Sequence, residues 1–194
     1  KAERERCQKA AEAARNGMNV ALISSGDPGV YAMAALALEI LEEEEALESV
    51  PFQVIPGVPA LCAGAALLGA PIGHDFACVS LSDLLTPWEL IERRLNAAMG
   101  ADFVCVLYNP RSRGRPDYLK KALEIAKRYR SPACPVGMAR NISRPGQSTM
   151  IATLDVFDPE LADMLSLVIV GNSETRIVGG YMLSPRGYAK KYPS

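Results

Sequence analysis

The sequence predicts an α/β fold built from two domains. Two observations carry this prediction: short apolar segments alternate with alanine-rich or amphipathic segments, and the apolar segments end in turns rich in glycine, proline or polar residues. A chain of 194 residues is long enough for one large domain or two small ones. Arginine, glycine and proline concentrate at residues 112–117, and the predicted domains are therefore residues 1–111 and 112–194.

The first part of the chain predicts a helix, a strand and a second helix. Residues 1–16 have alanine and charged residues at helical spacing, with Asn16-Gly17 as the expected C-cap. The apolar run Met18–Ile23 predicts a buried strand. The alanine-rich segment Tyr31–Leu47 predicts a helix whose start is fixed by Asp27-Pro28.

The pattern of strand, turn and helix then repeats, with strand Phe52–Ile55, turn Pro56–Pro59 and helix Ala60–Leu68. Such a repeat within about thirty residues is typical of a parallel βαβ unit. Small residues in the second helix would let it lie close to a sheet or to a partner. Glycines in the first turn, Ser24–Tyr31, would let a ligand approach the backbone, but the turn is equally typical of an ordinary strand-to-helix connection.

The rest of the chain predicts five more strands and two more helices. The strands are predicted at Phe76–Leu81, Phe103–Tyr108, Val136–Arg140, Ser148–Thr153 and Leu167–Val170. The helices are predicted at Pro87–Met99, capped by Thr86, and at Asp117–Tyr129.

Five of the predicted turns carry polar residues or glycine directly after a strand. If the carboxyl ends of the strands are grouped, these turns converge on a crevice between the two domains, where α/β sheets bind ligands. The turns are residues 25–27, 56–58, 108–110, 140–143 and 171–173.

Composition and missing motifs exclude several functions. A net charge of −1 and a pI near 6.0 do not favour a nucleic-acid substrate. The chain has neither a phosphate-binding P-loop nor the Gly-x-Gly-x-x-Gly fingerprint of dinucleotide sites. Without an apolar run long enough to span a bilayer or a signal core, a cytoplasmic protein is expected. The widely spaced cysteines are expected to be reduced core residues, and a single histidine, His74, makes a metal site improbable.

Several motifs resemble those of a known family. Residues 24–31, 55–59 and 170–172 are similar to the signature of the tetrapyrrole methylases, which use S-adenosylmethionine. A narrower set, residues 80–88, 107–112, 170–176 and 184–188, resembles the branch of the family that methylates C17 of precorrin-3B. The likeness extends from the first helix to Tyr188, which makes it specific.

The resemblance implies a two-domain α/β enzyme, usually a homodimer, that binds S-adenosylmethionine in the cleft between its domains. The implied reaction is methylation at C17 of precorrin-3B, or of cobalt-precorrin-3B, with contraction of the ring during cobalamin biosynthesis. Members of the family begin with a further strand and a glycine-rich loop, and this sequence starts after both of them. We therefore expect part of the cofactor site to be absent, a sheet edge to be exposed and full activity to be lacking.

The family motifs also imply which residues bind the cofactor. Asp27 is equally expected to cap the helix that follows it, and relatives often have a hydroxyl residue where Pro59 and Ala60 stand, so a side-chain hydrogen bond there is in doubt. The cofactor-binding residues implied are Gly26, Asp27, Val30, Pro59, Ala60, Tyr108, Ala139, Arg140, Val170 and Gly171.

Substrate and catalytic residues are expected on loops near the strand ends. A precorrin carries many carboxylates, which favours fixed arginines around its site. The predicted substrate-binding residues are Ser82, Arg111, Arg113 and Arg140, with Arg115 and Arg144 in the same clusters. The predicted catalytic residues are Asp83, Tyr108 and Asn109, with Asp83 serving the proton transfers of ring contraction.

Two other functions stay open at this point. The chain could be another methyltransferase of the same fold, acting on a different precorrin, on RNA or on diphthamide, although an RNA enzyme should carry more positive charge. It could also be a non-catalytic dimer module that keeps the fold without its first strand.

Overall fold

The computed structural model describes residues 2–192 and has a mixed α/β architecture, which confirms the predicted fold class. The chain divides into two compact units, Lys1–Ala60 and Leu61–Ser194. The domain boundary expected between residues 111 and 112 stays a prediction. The five-stranded sheet of the second unit contains strands from both sides of that position.

Two packed helices form the first unit. Helix α1 (Ala2–Arg15) ends where Gly17 adopts a φ of 81°, and the amides of Gly17 and Met18 close the last turn on carbonyls of α1. This is a Schellman cap, and it confirms the predicted helix end. Helix α2 (Met33–Glu43) packs against α1. The buried residues of this unit are Cys7, Ala11, Met33, Ala37, Ile40, Leu41, Ala46 and Val50.

The predictions of strands at Met18–Ile23 and Phe52–Ile55 are wrong, because both segments are irregular in the structure. Ile23 is 79% exposed and Ile55 is 73% exposed, although apolar composition predicted burial. A strand is defined by hydrogen bonds to a neighbour, and within residues 2–192 no neighbouring strand pairs with either segment. Apolar composition alone therefore did not determine the local structure.

The expected start of α2 is also wrong. Tyr31 has a φ of 51° and the N-cap is Ala32, so the helix begins two residues later than predicted and Asp27-Pro28 lies outside it. Asp27 is consequently not the helix cap that one of the alternatives expected.

The second unit begins with helix α3 (Ala60–Leu68), as predicted. A Cβ added at Gly64 would lie 2.7 Å from Leu167 Cδ2, so α3 lies close against the strand that contains Leu167. The small residues of α3 therefore permit the close packing that the sequence indicated. A three-stranded sheet, not predicted, follows in the order β1 (Gly69–Ala70), β8 (Tyr181–Leu183), β7 (Arg176–Val178).

The main sheet of the second unit contains the five strands predicted for this part of the chain. Its strand order is β2 (Phe76–Ser80), β3 (Val104–Tyr108), β6 (Ser166–Val170), β4 (Pro135–Arg140), β5 (Ser148–Thr153). Four further elements lie outside the sheets: α4 (Trp88–Gly100), α5 (Tyr118–Lys127), a 3-10 turn (Pro159–Leu161) and α6 (Tyr188–Lys191). Strands β2 and β3 are parallel and joined by α4, which makes a βαβ unit.

Strand direction separates the turns of this sheet into two groups. Strand β6 is antiparallel to both β3 and β4, so β2, β3 and β4 all end at one side, which we call the carboxyl edge. The turn after β6, residues 171–173, lies at the opposite end of the sheet. The expectation that all five turns converge is therefore wrong for this turn, because β6 runs against its neighbours.

A buried arginine ties several elements together at the end opposite the carboxyl edge. The Arg130 side chain is 2% exposed, and its guanidinium donates to the carbonyls of Met99, Phe103 and Gly171, each at 2.9 Å. Asp102 Oδ1 lies 3.1 Å from Arg130 Nη1. The guanidinium thus joins the end of α4, the start of β3 and the end of β6. No sequence pattern had singled out Arg130.

The cysteines are free thiols in the structure, but not all of them are core residues. Cys7, Cys105 and Cys134 are buried, and burial raises the pKa of Cys105 to about 12 and that of Cys134 to about 11. Cys62 is exposed, contrary to the expectation of a core position, because it lies on an open face of α3. Within the described residues, no helix is both long and apolar enough to span a membrane.

Replacing Arg130 by methionine should lower the free energy of unfolding by about 3 kcal/mol or more, since three backbone carbonyls and Asp102 would lose a buried charged partner. Urea denaturation followed by circular dichroism measures this change. Arg128→Met, at an exposed position of the same segment, is the matched control and should stay within about 0.5 kcal/mol of wild type. Equal stability of the two variants would contradict the structural role of Arg130.

Thiol labelling at neutral pH should modify Cys62 first and leave Cys105 and Cys134 unmodified until the protein unfolds. The raised pKa values leave almost no thiolate at the two buried sites, and burial blocks access of the reagent. Mass spectrometry of peptides after a short exposure to a maleimide identifies the modified residue. Rapid labelling of Cys105 in the folded protein would contradict the structure.

Candidate functional site

In the first unit, the carboxylate of Asp27 joins two turns that sequence analysis had assigned to the cofactor. Asp27 Oδ1 accepts a hydrogen bond from the Gly29 amide at 2.8 Å, and Oδ2 accepts one from the Gly57 amide at 2.9 Å. These donors, the Gly57 amide first, lower the pKa of Asp27 below its ordinary value. Asp27 therefore fixes turn 24–31 against turn 56–59.

The same two turns touch through glycine backbone. A Cβ at Gly57 would lie 2.2 Å from the Gly26 carbonyl oxygen, a distance that no side chain could occupy. Gly26 has a φ of 76°, and both Ser25 and Gly26 are exposed. The turns thus present open backbone with no Cβ in front of it, which is what a small polar ligand needs for close approach.

At the carboxyl edge of the second unit, Tyr108 and Asn109 end β3 next to the end of β2. Asn109 Nδ2 donates to Ser80 Oγ at 3.0 Å, and its backbone has a φ of 51°. Tyr108 Oη accepts a hydrogen bond from the Leu61 amide at 2.8 Å, which joins β3 to the first turn of α3. The two side chains that were predicted to be catalytic are therefore held in place by neighbouring elements.

The loop after β2, residues 82–86, is anchored at its acidic residue. Tyr118 Oη donates to Asp83 Oδ2 at 2.6 Å, and Arg115 Nε lies 3.6 Å from Asp83 Oδ1. The next two residues, Leu84 and Leu85, are 80% and 97% exposed. The loop is thus fixed at Asp83 while its apolar residues contact little of the protein.

The predicted substrate-binding arginines differ in whether a carboxylate of the protein pairs with them. Arg111 pairs with Glu160, and Arg140 Nη2 pairs with Asp163 at 2.7 Å. Arg113 and Arg144 are exposed, and within the described residues neither has an ion pair. Positive charge available to an anionic ligand is therefore concentrated at these two positions rather than spread over the whole cluster.

The remaining predicted residues of the second unit lie at both ends of the sheet. Ala139 and Arg140 are at the carboxyl edge, but Val170 and Gly171 are at the other end, where Arg130 holds the Gly171 carbonyl. His74 also lies at that other end, in a polar cavity of about 440 Å³ that Asp75, Asp102, Ser173 and Arg186 help to line. The structure does not bring His74, Val170 or Gly171 together with Tyr108 and Asn109.

Sequence reasoning missed Tyr118, which holds the 82–86 loop, and Arg130, which organises the opposite end of the sheet. Tyr118 lies 35 positions from Asp83, and Arg130 lies 41 positions from Gly171, so no local spacing connects them. One indication in the sequence that Tyr118 belongs to the site was its position directly after the arginine-rich loop.

The sequence matches a known protein family. The family model "Tetrapyrrole (Corrin/Porphyrin) Methylases" matches residues 1–158. The chain belongs to this family, and the family resemblance drawn from the motifs is confirmed.

Individual relatives agree with the family. The chain is 50% identical over 186 residues to a protein of Salmonella typhimurium named "Probable cobalt-factor III C(17)-methyltransferase", covering 96% of this chain and 76% of the relative. It is 43% identical to the "Precorrin-3B C(17)-methyltransferase" of Sinorhizobium sp., covering 96% and 76%. A longer relative from Priestia megaterium, "Cobalt-factor III methyltransferase", is 46% identical, but the chain spans only 35% of its length.

Solved structures show the same fold. The crystal structure of the methyltransferase CobJ superposes with a TM-score of 0.90 at 41% identity, covering 94% of this chain and 77% of that one. A uroporphyrin-III C-methyltransferase of Thermus thermophilus, solved with S-adenosyl homocysteine, gives a TM-score of 0.60 at 22% identity, covering 87% and 73%. At that identity the second similarity shows the fold alone.

Asp27→Asn should make the Gly57 amide exchange its hydrogen faster, because an asparagine side chain has only one oxygen to accept the two hydrogen bonds. In wild type, the lowered pKa of Asp27 means that this contact is complete above about pH 3.9 and is lost as the pH falls through the lowered value. Amide exchange measured by NMR tests both statements. The control Glu48→Gln, at an exposed carboxylate, should leave the exchange of Gly57 unchanged; an identical effect of both variants would refute the contact.

Proposed function

We propose that this chain is an S-adenosylmethionine-dependent enzyme that methylates C17 of precorrin-3B, or of its cobalt-containing counterpart, with contraction of the ring, in cobalamin biosynthesis. The observation that carries this proposal is the 50% identity to a relative named as a cobalt-factor III C(17)-methyltransferase over 96% of the chain. The aligned residues include both the glycine turns and the loops at the carboxyl edge.

The first unit fits one part of the proposed cofactor. S-adenosylmethionine has amino, carboxylate and ribose hydroxyl groups. The exposed backbone of Ser25 and Gly26 offers hydrogen-bonding groups, and Gly26 has no Cβ to block a close approach. Asp27 uses both carboxylate oxygens on backbone amides, so its part is to hold the turns that carry Gly26 and Gly57. The other cofactor contacts expected from the family motifs stay predictions.

The cofactor would supply an electrophilic methyl group on a sulfonium. Transfer of such a group is an in-line displacement, so the protein mainly has to orient the acceptor carbon and exclude water. Tyr108 and Asn109 suit this purpose, because hydrogen bonds to α3 and β2 fix both side chains before a substrate arrives.

The substrate part of the proposal rests on the carboxyl edge of the second unit. Arg113 and Arg144 have exposed guanidinium groups with no ion pair in the described structure, and they would bind carboxylates of the tetrapyrrole directly. Arg111 and Arg140 would bind only by sharing or displacing Glu160 and Asp163. Exposed Leu84 and Leu85 add apolar surface suited to a flat macrocycle.

The proposal includes a homodimer that acts in the cytoplasm on a small molecule and not on nucleic acid. The homodimer is the state that the family resemblance implies. The net charge of −1 supports a small-molecule substrate over RNA.

Extended at its amino terminus by the strand and glycine-rich loop with which members of the family begin, the chain should bind S-adenosylhomocysteine. Gly57→Ala in this extended chain should weaken the binding at least about tenfold, because a Cβ would push turn 56–59 away from Gly26. Calorimetric titration measures both affinities. Gly100→Ala is the matched control, since its Cβ would meet only the Tyr129 ring at an ordinary 3.4 Å, and this variant should bind like wild type.

Incubation of the same extended chain with S-adenosylmethionine and precorrin-3B, or its cobalt form, should give a product methylated at C17, identified by mass spectrometry and NMR. Methylation at a different carbon would assign the chain to another branch of the family. Absence of both binding and product would refute the methyltransferase proposal.

A further inference from the structure

Arg115, which precedes α5, and Tyr118, the first residue of α5, converge on one carboxylate in the 82–86 loop. Tyr118 Oη donates to Asp83 Oδ2 at 2.6 Å, a normal length for a charge-assisted hydroxyl–carboxylate hydrogen bond. Arg115 Nε lies 3.6 Å from Asp83 Oδ1, close enough for an ion pair but too far for a hydrogen bond. The two oxygens of Asp83 are therefore in different environments.

Arg115 is itself fixed to the protein. It is 9% exposed, and its Nη1 donates to the carbonyl of Leu81 at 3.3 Å, directly before the loop. A buried guanidinium needs such partners because it has lost contact with water. Arg115 thus holds the loop through its backbone and compensates the charge of Asp83.

Like Arg115, the Tyr118 side chain at the start of α5 is fixed by contacts with its neighbours. Its ring packs against Trp88 with 4.6 Å between centroids, and the ammonium group of Lys121 lies 5.0 Å from the Tyr118 centroid. Aromatic packing and a cation–π contact both restrict the ring. The phenol therefore keeps its direction toward Asp83.

The part of the loop beyond Asp83 adds little to the core, although the Tyr118 ring itself packs against it. The residues that follow Asp83 in the loop, Leu84 and Leu85, are 80% and 97% exposed, so ordering this loop buries almost no apolar surface there. Within the described residues, Asp83 Oδ1 receives no hydrogen bond, and the side chain is 33% exposed. Oδ2 is thus hydrogen-bonded, while Oδ1 faces Arg115 in an ion pair and can still accept a hydrogen bond from a donor outside the protein.

We propose that Tyr118 and Arg115 are positioning residues that hold Asp83 so that its Oδ1 accepts a hydrogen bond from an N–H or O–H group of the tetrapyrrole. This inference rests on the proposed function, and it assigns the direct contact to Asp83 and the orientation of that contact to Tyr118 and Arg115. Loss of the phenol hydroxyl leaves Asp83 free to rotate, which lowers the fraction of molecules in the productive geometry.

The first test needs no substrate. The hydrogen bond to Asp83 and the charge of Asp83 raise the pKa of Tyr118, with Glu89 on α4 adding to this effect and Arg115 opposing it. Asp83→Asn should therefore lower the pKa of Tyr118 toward its ordinary value. Ultraviolet titration of tyrosinate measures this change, and Tyr118→Phe identifies the signal by its disappearance. An unchanged titration in Asp83→Asn would overturn the coupling of the two residues.

The second test uses the reaction. Tyr118→Phe should lower kcat for methylation of the tetrapyrrole about tenfold while the KM for S-adenosylmethionine stays within about twofold. Tyr129→Phe removes a comparable hydroxyl, bonded to Asn96 at 3.0 Å, and is the matched control with wild-type kcat. Asp83→Asn combined with Tyr118→Phe should be no slower than Asp83→Asn alone, because Tyr118 acts through Asp83.

The outcomes separate the two proposals. A kcat for Tyr118→Phe equal to wild type, or a double variant much slower than Asp83→Asn, would overturn the positioning role and leave the methyltransferase proposal intact. Absence of methyl transfer by wild type would overturn the proposed function and any role of Asp83 in it, while the titration still decides whether Tyr118 and Asp83 are coupled.

Discussion

The packing of α4, β3 and β6 in the second unit depends on one buried cation, Arg130. Placing the Arg130 guanidinium in the interior is costly unless hydrogen bonds and an opposite charge compensate it. Three carbonyls from different elements, those of Met99, Phe103 and Gly171, meet this requirement together with Asp102. The carbonyls also need the guanidinium, because each lies at the end of a helix or strand and requires a hydrogen-bond donor. The guanidinium thus determines how α4, β3 and β6 meet.

This constraint also separates two kinds of sheet end. Because β6 lies between β3 and β4 and runs against both, the end of the sheet that contains Arg130 is filled by internal hydrogen bonds. At the carboxyl edge the buried Arg115 donates to the Leu81 carbonyl and pairs with Asp83, and the loops there also contain Asn109 and the exposed arginines. The candidate ligand-binding side chains of this sheet therefore lie at the carboxyl edge, away from the backbone carbonyls that bind Arg130. Strand direction, rather than the composition of individual turns, decides which turns lie there.

Features that depend on neighbouring residues could be predicted from the sequence, and features that depend on residues far apart along the chain could not. The glycine cap after α1 and the strands β2 to β6 were predictable, since each rests on a local pattern or a run of apolar residues. The segments Met18–Ile23 and Phe52–Ile55 were not, because a strand also needs a partner that composition does not reveal. Arginines were predicted as an anion-binding rim, but pairing with Glu160 and Asp163 depends on residues far away along the chain. Contacts of this kind become visible only in three dimensions.

The motifs shared across the family and the motifs of its narrower branch have different structural roles. The shared turns, residues 24–31 and 55–59, meet through glycine backbone and through amide hydrogen bonds to Asp27. Under the proposed function these turns would bind the cofactor that the family shares. They tolerate little change, because a Cβ at Gly57 would separate them. The branch motifs, residues 80–88 and 107–112, instead place the side chains of Asp83, Asn109 and Arg111 at the carboxyl edge. Side chains can change without moving the sheet, so differences in substrate among relatives would be expected to arise at this edge and not in the glycine turns.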